Sequence, residues 1–134
     1  MPLIHSKDIP TITHLAGGEI SSKEEGALET ILGFQGYSER TLIDHKTSES
    51  MSMGDCVFEP GAVVPTHHHD DAEEMFYVFE GSGTAVVNGE EHEMSVGDVL
   101  LVPRGSPHSF RNETGRAWRM VFAYSSMSIT TAFD

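Results

Sequence analysis

Three consecutive histidines, His67, His68 and His69, are the residues of this chain best suited to chemistry. His67 and His69 are two positions apart, so in an extended chain their imidazoles leave the same face. Imidazole binds Zn, Cu, Fe and Ni, and a carboxylate ligand adds Mn to that range. A triple histidine is also common in solvated loops, so a further ligand is needed before the pattern indicates a metal.

A carboxylate that meets this need stands five residues after His69. Glu74 begins the run EMFYVF, in which it shares one strand face with Phe76 and Val78. A carboxylate on an inward face needs a partner, because burying it unpaired is expensive. A metal held with His67 and His69 would be that partner.

Neighbouring residues offer alternatives to this set. His68 points away from the pair and is interpreted as a surface residue or a neighbour of the ligands. Glu73 is the alternative candidate for the carboxylate ligand, but strand alternation turns it outward when Glu74 faces inward. The loop acids Asp70 and Asp71, together with Glu73, are interpreted as solvated, at the mouth of the site.

A second stretch, GDVLLVPRGSPHSFRN at residues 97–112, follows the first. Its apolar run at residues 99–102 predicts a short strand that is ended by the turn residues Pro103 and Gly105. His108 then begins a new extended piece and shares a face with Phe110.

Together the two stretches resemble the two motifs of the cupin superfamily. The first motif has the form G-x5-H-x-H-x4-E-x6-G and the second G-x5-P-x-G-x2-H-x3-N. All ten positions match, at Gly61, His67, His69, Glu74 and Gly81, then at Gly97, Pro103, Gly105, His108 and Asn112. The resemblance covers about residues 51–124. It implies an all-β fold, the double-stranded β-helix or jelly-roll barrel, and one divalent metal ion held by His67, His69, Glu74 and His108.

Composition and charge limit the partners, the disulfide content and the location that can be expected. The 134 residues carry 21 acids against 8 Lys and Arg, a net charge of −13, which argues against nucleic acid or an anionic membrane as partner. Cys56 is the single cysteine, so no internal disulfide is expected. No signal peptide or run of about 20 apolar residues is present, so a cytoplasmic location is expected.

One domain of three parts is expected from this length. Residues 1–50 form an N-terminal arm and leading strands, residues 51–124 form the barrel, and residues 125–134 form a tail. The segment around residues 9–13 is interpreted as an edge strand, because it contains a proline. The resemblance suggests that this arm joins two subunits in a homodimer, and the alternative is an extended cover on its own barrel. The tail is expected to form a loose flap or a second dimer contact.

The expected pocket suits a small, partly apolar ligand. Its wall should come from Phe76, Val78 and Phe110, with some of Met53, Phe58, Met120, Phe122 and Tyr124. Arg104 and Arg111 are candidates for binding a ligand carboxylate, and the alternative is surface charge.

The resemblance implies an enzyme that acts on a small oxygenated compound. Dioxygenation is favoured, and lyase, isomerase and decarboxylase chemistries are alternatives. A non-catalytic protein that binds a small ligand is the alternative of another class. The metal could be Mn, Fe, Ni, Co or Zn. Four residues are possible general bases and none is marked by the sequence: Glu73, Tyr77, His92 and Tyr124.

Overall fold

The computed structural model describes residues 12–13, 35–44, 48–126 and 129–133, and this part of the chain is all-β. It contains no helix, and so none long and apolar enough to span a membrane. The strands are β1 (Ile12–Thr13), β2 (Tyr37–Ile43), β3 (Ser52–Phe58), β4 (Val63–His68), β5 (Glu74–Glu80), β6 (Ser82–Val87), β7 (Glu90–Ser95), β8 (Val99–Val102), β9 (His108–Arg111), β10 (Trp118–Tyr124) and β11 (Ala132–Phe133).

These strands form two antiparallel sheets. The first sheet has the order β1-β2-β3-β10-β5-β8, and the second has the order β11-β4-β9-β6-β7. Consecutive strands such as β4 and β5, or β8 and β9, lie in different sheets, so the chain crosses repeatedly from one sheet to the other. This is the jelly-roll barrel that was expected from the sequence.

Alternation along the strands builds the core between the two sheets. In β3, positions 52, 54, 56 and 58 are buried and the positions between them are not. In β10, Trp118 and Met120 are completely buried, and the Trp118 ring lies 4.9 Å from the ring of Phe58. A side chain at Gly83 would prevent this packing, because a Cβ atom there would lie 2.0 Å from Cε3 of Trp118.

Turn chemistry follows the sequence closely. Asn88 and Gly89 both have positive φ, 51° and 80°, and join β6 to β7 in the hairpin that the Asn-Gly pair predicts. The motif glycines Gly61, Gly81, Gly97 and Gly105 also have positive φ. At Gly81 the constraint is twofold, since a Cβ atom would also lie 2.1 Å from the Ala117 carbonyl oxygen.

The C-terminal tail differs from the sequence-based expectation. The tail contributes β11, which pairs with β4, so residues 132–133 are part of a sheet and not of a loose flap. Backbone pairing with a neighbouring strand is a contact that local sequence does not reveal.

The leading segment is described only at β1. Its two residues pair with β2 of the same chain. Most of the arm lies outside the described residues, so its expected role in joining two subunits stays a prediction.

Candidate metal centre

A β-bulge in β4 aims the first histidine into the barrel. Val64 is the Cα partner of Phe110 on β9, and His67 is the partner of His108, so Pro65 and Thr66 together stand opposite one residue. Without this extra residue, Val64 and His67 could not both be buried on one face, because they are an odd number of positions apart. Proline suits the bulge, where no ladder hydrogen bond is lost.

Each histidine is oriented by a hydrogen bond from its Nδ1 atom. His67 Nδ1 lies 2.8 Å from the Pro65 carbonyl oxygen, and His108 Nδ1 lies 2.9 Å from the Ser106 carbonyl oxygen. His69 Nδ1 lies 3.0 Å from the Thr130 carbonyl oxygen. Because a carbonyl oxygen only accepts, Nδ1 carries the proton in all three rings. The Nε2 atom of each neutral ring is therefore a bare lone pair, as a metal ligand requires.

These three imidazoles meet between the sheets, each offering a ligand nitrogen within 4.8 Å of the others. The carboxylate Oε1 of Glu74, on β5, lies 3.4 Å from Nε2 of His69 and 3.3 Å from Nε2 of His108. These three atoms are buried, with no hydrogen-bond partner in the described structure. Lone pairs therefore face a carboxylate, and this repulsion is removed only when a cation lies between them.

The pKa shifts of His67, His69 and Glu74 are consistent with this arrangement. Burial and the neighbouring His108 ring lower the pKa of His67 to about 4, so it is neutral at physiological pH. Burial alone would lower the pKa of His69, but the Glu74 carboxylate and the Thr130 carbonyl raise it. Burial alone would raise the pKa of Glu74, but the two histidines lower it to about 2. The Glu74 carboxylate therefore favours a positive charge beside it, at the position where the three ligand nitrogens meet.

Backbone contacts fix the segments that carry these side chains. The Gly105 amide donates to the His69 carbonyl oxygen at 2.8 Å, which ties the turn before β9 to the end of β4. Asn112 is completely buried and donates from Nδ2 to the carbonyl oxygens of Phe58 and Arg116, at 2.8 and 2.7 Å. The motif residues Gly105 and Asn112 therefore position the site without entering it.

Residues 129–133 complete the site. The Thr130 amide donates to the carboxylate of Asp71, at 2.9 Å for the shorter contact, and the Thr130 carbonyl oxygen accepts from His69. In β11 the Phe133 ring lies 5.4 Å from the ring of His67. This segment, residues 129–133, therefore orients one histidine and covers another.

A cavity with room for several waters, about 50 Å³, opens beside the histidines. Its wall is largely apolar and aromatic. The residues that line it are Tyr37, Glu39, Phe58, Val64, His67, His69, Glu74, Phe76, Phe110, Tyr124, Thr131 and Phe133. Of the expected wall residues, Phe58, Phe76, Phe110 and Tyr124 line the cavity, whereas Val78, Met120 and Phe122 are buried in the core and Met53 lies on the opposite face of β3.

The neighbours of the four central residues lie as the alternation predicts. Glu74 is 3% exposed and Glu73 is exposed, while His68 turns outward and its Nδ1 lies 3.3 Å from Asp70. Arg111 forms ion pairs with Glu91 and Glu113, so it takes the alternative role of a surface charge. Arg104 is exposed and does not line the cavity.

Among the possible general bases, Tyr124 is the one that lines the cavity. Its ring meets the ring of His69 edge-on at 5.2 Å. Tyr77 and Glu73 are exposed, and His92 lies on β7, away from the cavity.

Sequence reasoning missed five residues of the cavity wall: Tyr37, Glu39, Val64, Thr131 and Phe133. The alternation of β2 places Glu39 on one face with Thr41. Nothing in that short strand indicates which of its faces is inward, so this signal alone could not have identified Glu39.

Comparison with known proteins agrees with this architecture. The family model described as "Cupin domain" matches residues 54–124. The tetracenomycin polyketide synthase protein TcmJ of Streptomyces glaucescens is 32% identical over 96 residues, 70% of this chain and 64% of that protein. Gentisate 1,2 dioxygenase 1 of Aquipseudomonas alcaligenes is 32% identical over 104 residues, 75% of this chain and 28% of that protein.

A solved structure extends the similarity to nearly the whole fold. The polyketide cyclase RemF from Streptomyces resistomycificus superimposes with a TM-score of 0.76 at 23% identity, covering 99% of this chain and 84% of that one. The chain spans less than two thirds of the length of TcmJ and about a quarter of the dioxygenase. Shared architecture is therefore established by these matches, while the activities named for the relatives are matters for experiment.

Proposed function

This chain belongs to the cupin domain family, and we propose that it is a metal-dependent enzyme acting on a small oxygenated organic compound. The observation that carries the proposal is the convergence of buried, unsatisfied Nε2 and Oε1 atoms beside a cavity. Most buried polar groups are satisfied by protein partners, so several unsatisfied ones that converge beside a cavity indicate a ligand site.

The proposed ligands of one divalent ion are His67, His69, Glu74 and His108. Mixed nitrogen and oxygen donors suit Mn, Fe, Co, Ni or Zn. Such an ion supplies Lewis acidity and, for iron or manganese, redox capacity. The carbonyl oxygens that accept from Nδ1 hold the imidazoles in place before the ion arrives, which reduces the reorganisation needed on binding.

The cavity wall supports a partly apolar substrate with oxygen donors. The rings of Phe76 and Phe110 lie 4.8 Å apart and exclude water from one side of the cavity. Electrostatic interactions with a bound oxygen are stronger in such a low-dielectric site than in bulk water. The apolar wall and the proposed metal match the polarity of a flat, oxygenated molecule such as an enol or a phenol, which would enlarge the cavity of about 50 Å³ on binding.

Dioxygenation is the reaction we favour, and lyase, isomerase or decarboxylase chemistry is the alternative. The names of the relatives, a gentisate dioxygenase and proteins of polyketide synthesis, support oxygen-rich small molecules as the substrate class. Family membership alone does not choose among these reactions.

Elemental analysis of protein purified without a nickel column is the first test, and about one metal ion per chain is expected. Protein loaded with Fe(II), Mn(II), Co(II), Ni(II) or Zn(II) is then incubated with small acids, enols and phenols. Oxygen uptake is followed with an electrode and products by mass spectrometry. Dioxygenation predicts oxygen consumption with Fe or Mn, whereas the alternative chemistries predict products without it.

The variant to compare with the wild type is His108→Ala, which removes one proposed ligand at the first residue of β9. It is expected to lose both metal and turnover. A metal-free wild-type protein would contradict the proposal. Ligands that bind but return unchanged with every metal would instead support a non-catalytic binding protein.

A further inference from the structure

A second carboxylate, Glu39, lines the cavity that holds the histidines. It lies on β2, opposite Cys56 of β3 in the sheet register, and Cys56 is completely buried. Glu39 and Glu74 therefore approach one cavity from different strands of the first sheet. Glu39 is partly exposed, whereas Glu74 is buried, so Glu39 lies on the side nearer to solvent.

Tyr37 fixes the orientation of Glu39. The Tyr37 hydroxyl donates to Oε2 of Glu39 at 2.7 Å, and the Tyr37 ring packs against Phe58 at 4.8 Å. A carboxylate held by a buried tyrosine in a largely aromatic cavity is a positioned group and not a mobile surface charge.

The other polar groups of the cavity are committed to other tasks. The imidazole Nδ1 atoms donate to carbonyl oxygens, and the Nε2 atoms and Glu74 face the proposed metal. Burial, followed by the nearby Glu39, raises the pKa of Tyr37. Burial, followed by Glu74 and Glu39, raises the pKa of Tyr124. Both tyrosines therefore keep their protons and can donate, whereas Glu39 presents a carboxylate in the same cavity wall and can accept.

We propose that Glu39 is the proton acceptor of the site and that Tyr37 is its positioning residue. This inference rests on the proposed function. As an enolic or phenolic substrate binds, its O–H bond breaks, the electron pair stays on the substrate oxygen, and the proton forms an O–H bond with the Glu39 carboxylate. No electron is transferred, and the proton is available for return to the product.

Binding of catechol to zinc-loaded protein tests this step without turnover, because Zn²⁺ is not redox-active. Calorimetry in buffers of different ionisation enthalpy counts the protons that reach the solvent. The variants are Glu39→Gln, which removes the acceptor, and Glu93→Gln, the same change at an exposed site on β7. Metal content and thermal unfolding are measured for each.

The wild type and Glu93→Gln are expected to release about one proton fewer per bound catechol than Glu39→Gln. Glu39→Gln should keep its metal, and where turnover is found it should fall about 10²- to 10⁴-fold, the usual contribution of a positioned base. Tyr37→Phe should keep the packing against Phe58 and the proton count, but bind catechol more weakly. Glu39→Asp, with a shortened carboxylate, should restore the proton count of the wild type.

Three results would overturn the inference. An equal proton count in wild type and Glu39→Gln would remove the acceptor role while leaving the proposed function intact. Loss of metal in Glu39→Gln would make this residue a ligand. If the wild type bound neither zinc nor catechol, the proposed function itself would fail, and the metal analysis identifies that case. Should Glu39→Gln not fold, the comparison of Tyr37→Phe with Glu39→Asp decides instead, and an unchanged catechol affinity in both would contradict the assignment.

Discussion

His67 and His108 are direct cross-strand partners of β4 and β9, and their rings lie 4.1 Å apart. The two motifs of the chain therefore meet in one pair of the sheet, although these two histidines are 41 positions apart in sequence. This pairing depends on the bulge at Pro65 and Thr66, because a regular ladder would turn His67 outward. The position of the site is thus fixed by strand register as much as by side-chain chemistry.

Removal of one histidine at a time should distinguish proposed ligands from neighbours. His67→Ala, His69→Ala and His108→Ala should each lower metal affinity by more than the roughly 10- to 100-fold typical of losing an outer partner. His68→Ala is the matched control within the same triplet and should keep the metal. Chelator competition measures these affinities, and the register is wrong if His68→Ala loses the metal while His69→Ala keeps it.

Glu74→Gln should weaken the metal while the barrel still folds. The variant keeps the size of the side chain and replaces a carboxylate oxygen by a weaker amide oxygen, so metal affinity should fall and any activity should collapse. Glu73→Gln is the control, one residue earlier and exposed, and should alter little besides surface charge. Metal titration of the two variants checks this, and a larger loss for Glu73→Gln would refute the assignment of Glu74.

Metal affinity should fall as the pH drops below neutral. Glu74 raises the pKa of His69. As the pH falls, a proton therefore begins to compete with the metal for this ring at a pH above the ordinary pKa of histidine. His67, with a pKa of about 4, adds competition only in stronger acid. One displaced proton predicts a loss of about tenfold in affinity per pH unit. Chelator competition between about pH 8 and pH 5 measures the slope, and a flat profile would contradict it.

A homodimer is expected through the outer face of the first sheet. Tyr77 of β5 pairs with Val99 of β8, and both point outward, where Tyr77, Phe79, Val99 and Leu101 are 41%, 43%, 63% and 58% exposed. An apolar face of this kind on a strongly acidic protein favours burial against a second copy. Light scattering at micromolar concentration should give twice the chain mass.

The same face supplies the variants that test this association. Tyr77→Lys combined with Leu101→Lys should give a monomer, because it places charge in the apolar face. Val63→Lys is the control, since Val63 is 53% exposed but lies in the second sheet. A monomeric wild type would exclude the dimer, and a dimer that persists in the double variant would place the interface elsewhere.

Much of the fold was predictable because local signals agree with the tertiary structure. Asn88-Gly89 specifies its hairpin, and the alternation at Glu73 and Glu74 separates an exposed carboxylate from a buried one. The spacing within the motifs likewise brings His67, His69 and His108 together, since each lies on or beside a strand that faces the core.

The features that escaped prediction depend on contacts between distant segments. The bulge at Pro65 is set by pairing with β9, and a sequence of extended residues does not reveal an extra position. Glu39 lies on a strand whose inward face is decided by β3. Thr130 orients His69 although the two residues are 61 positions apart. Neither composition nor hydrophobic periodicity predicts a contact over such a distance in sequence.

The strand β11 also sets an order of events during synthesis. The ribosome makes the chain from the N-terminus, so the residues of β4 and β9 emerge well before residues 129–133. Until that segment emerges, His69 lacks its carbonyl acceptor and His67 lacks the cover of Phe133. Before then, only His67 and His108 have the carbonyl partners that orient their rings. On the proposed function, the complete metal site would therefore form late, once residues 129–133 have joined the second sheet.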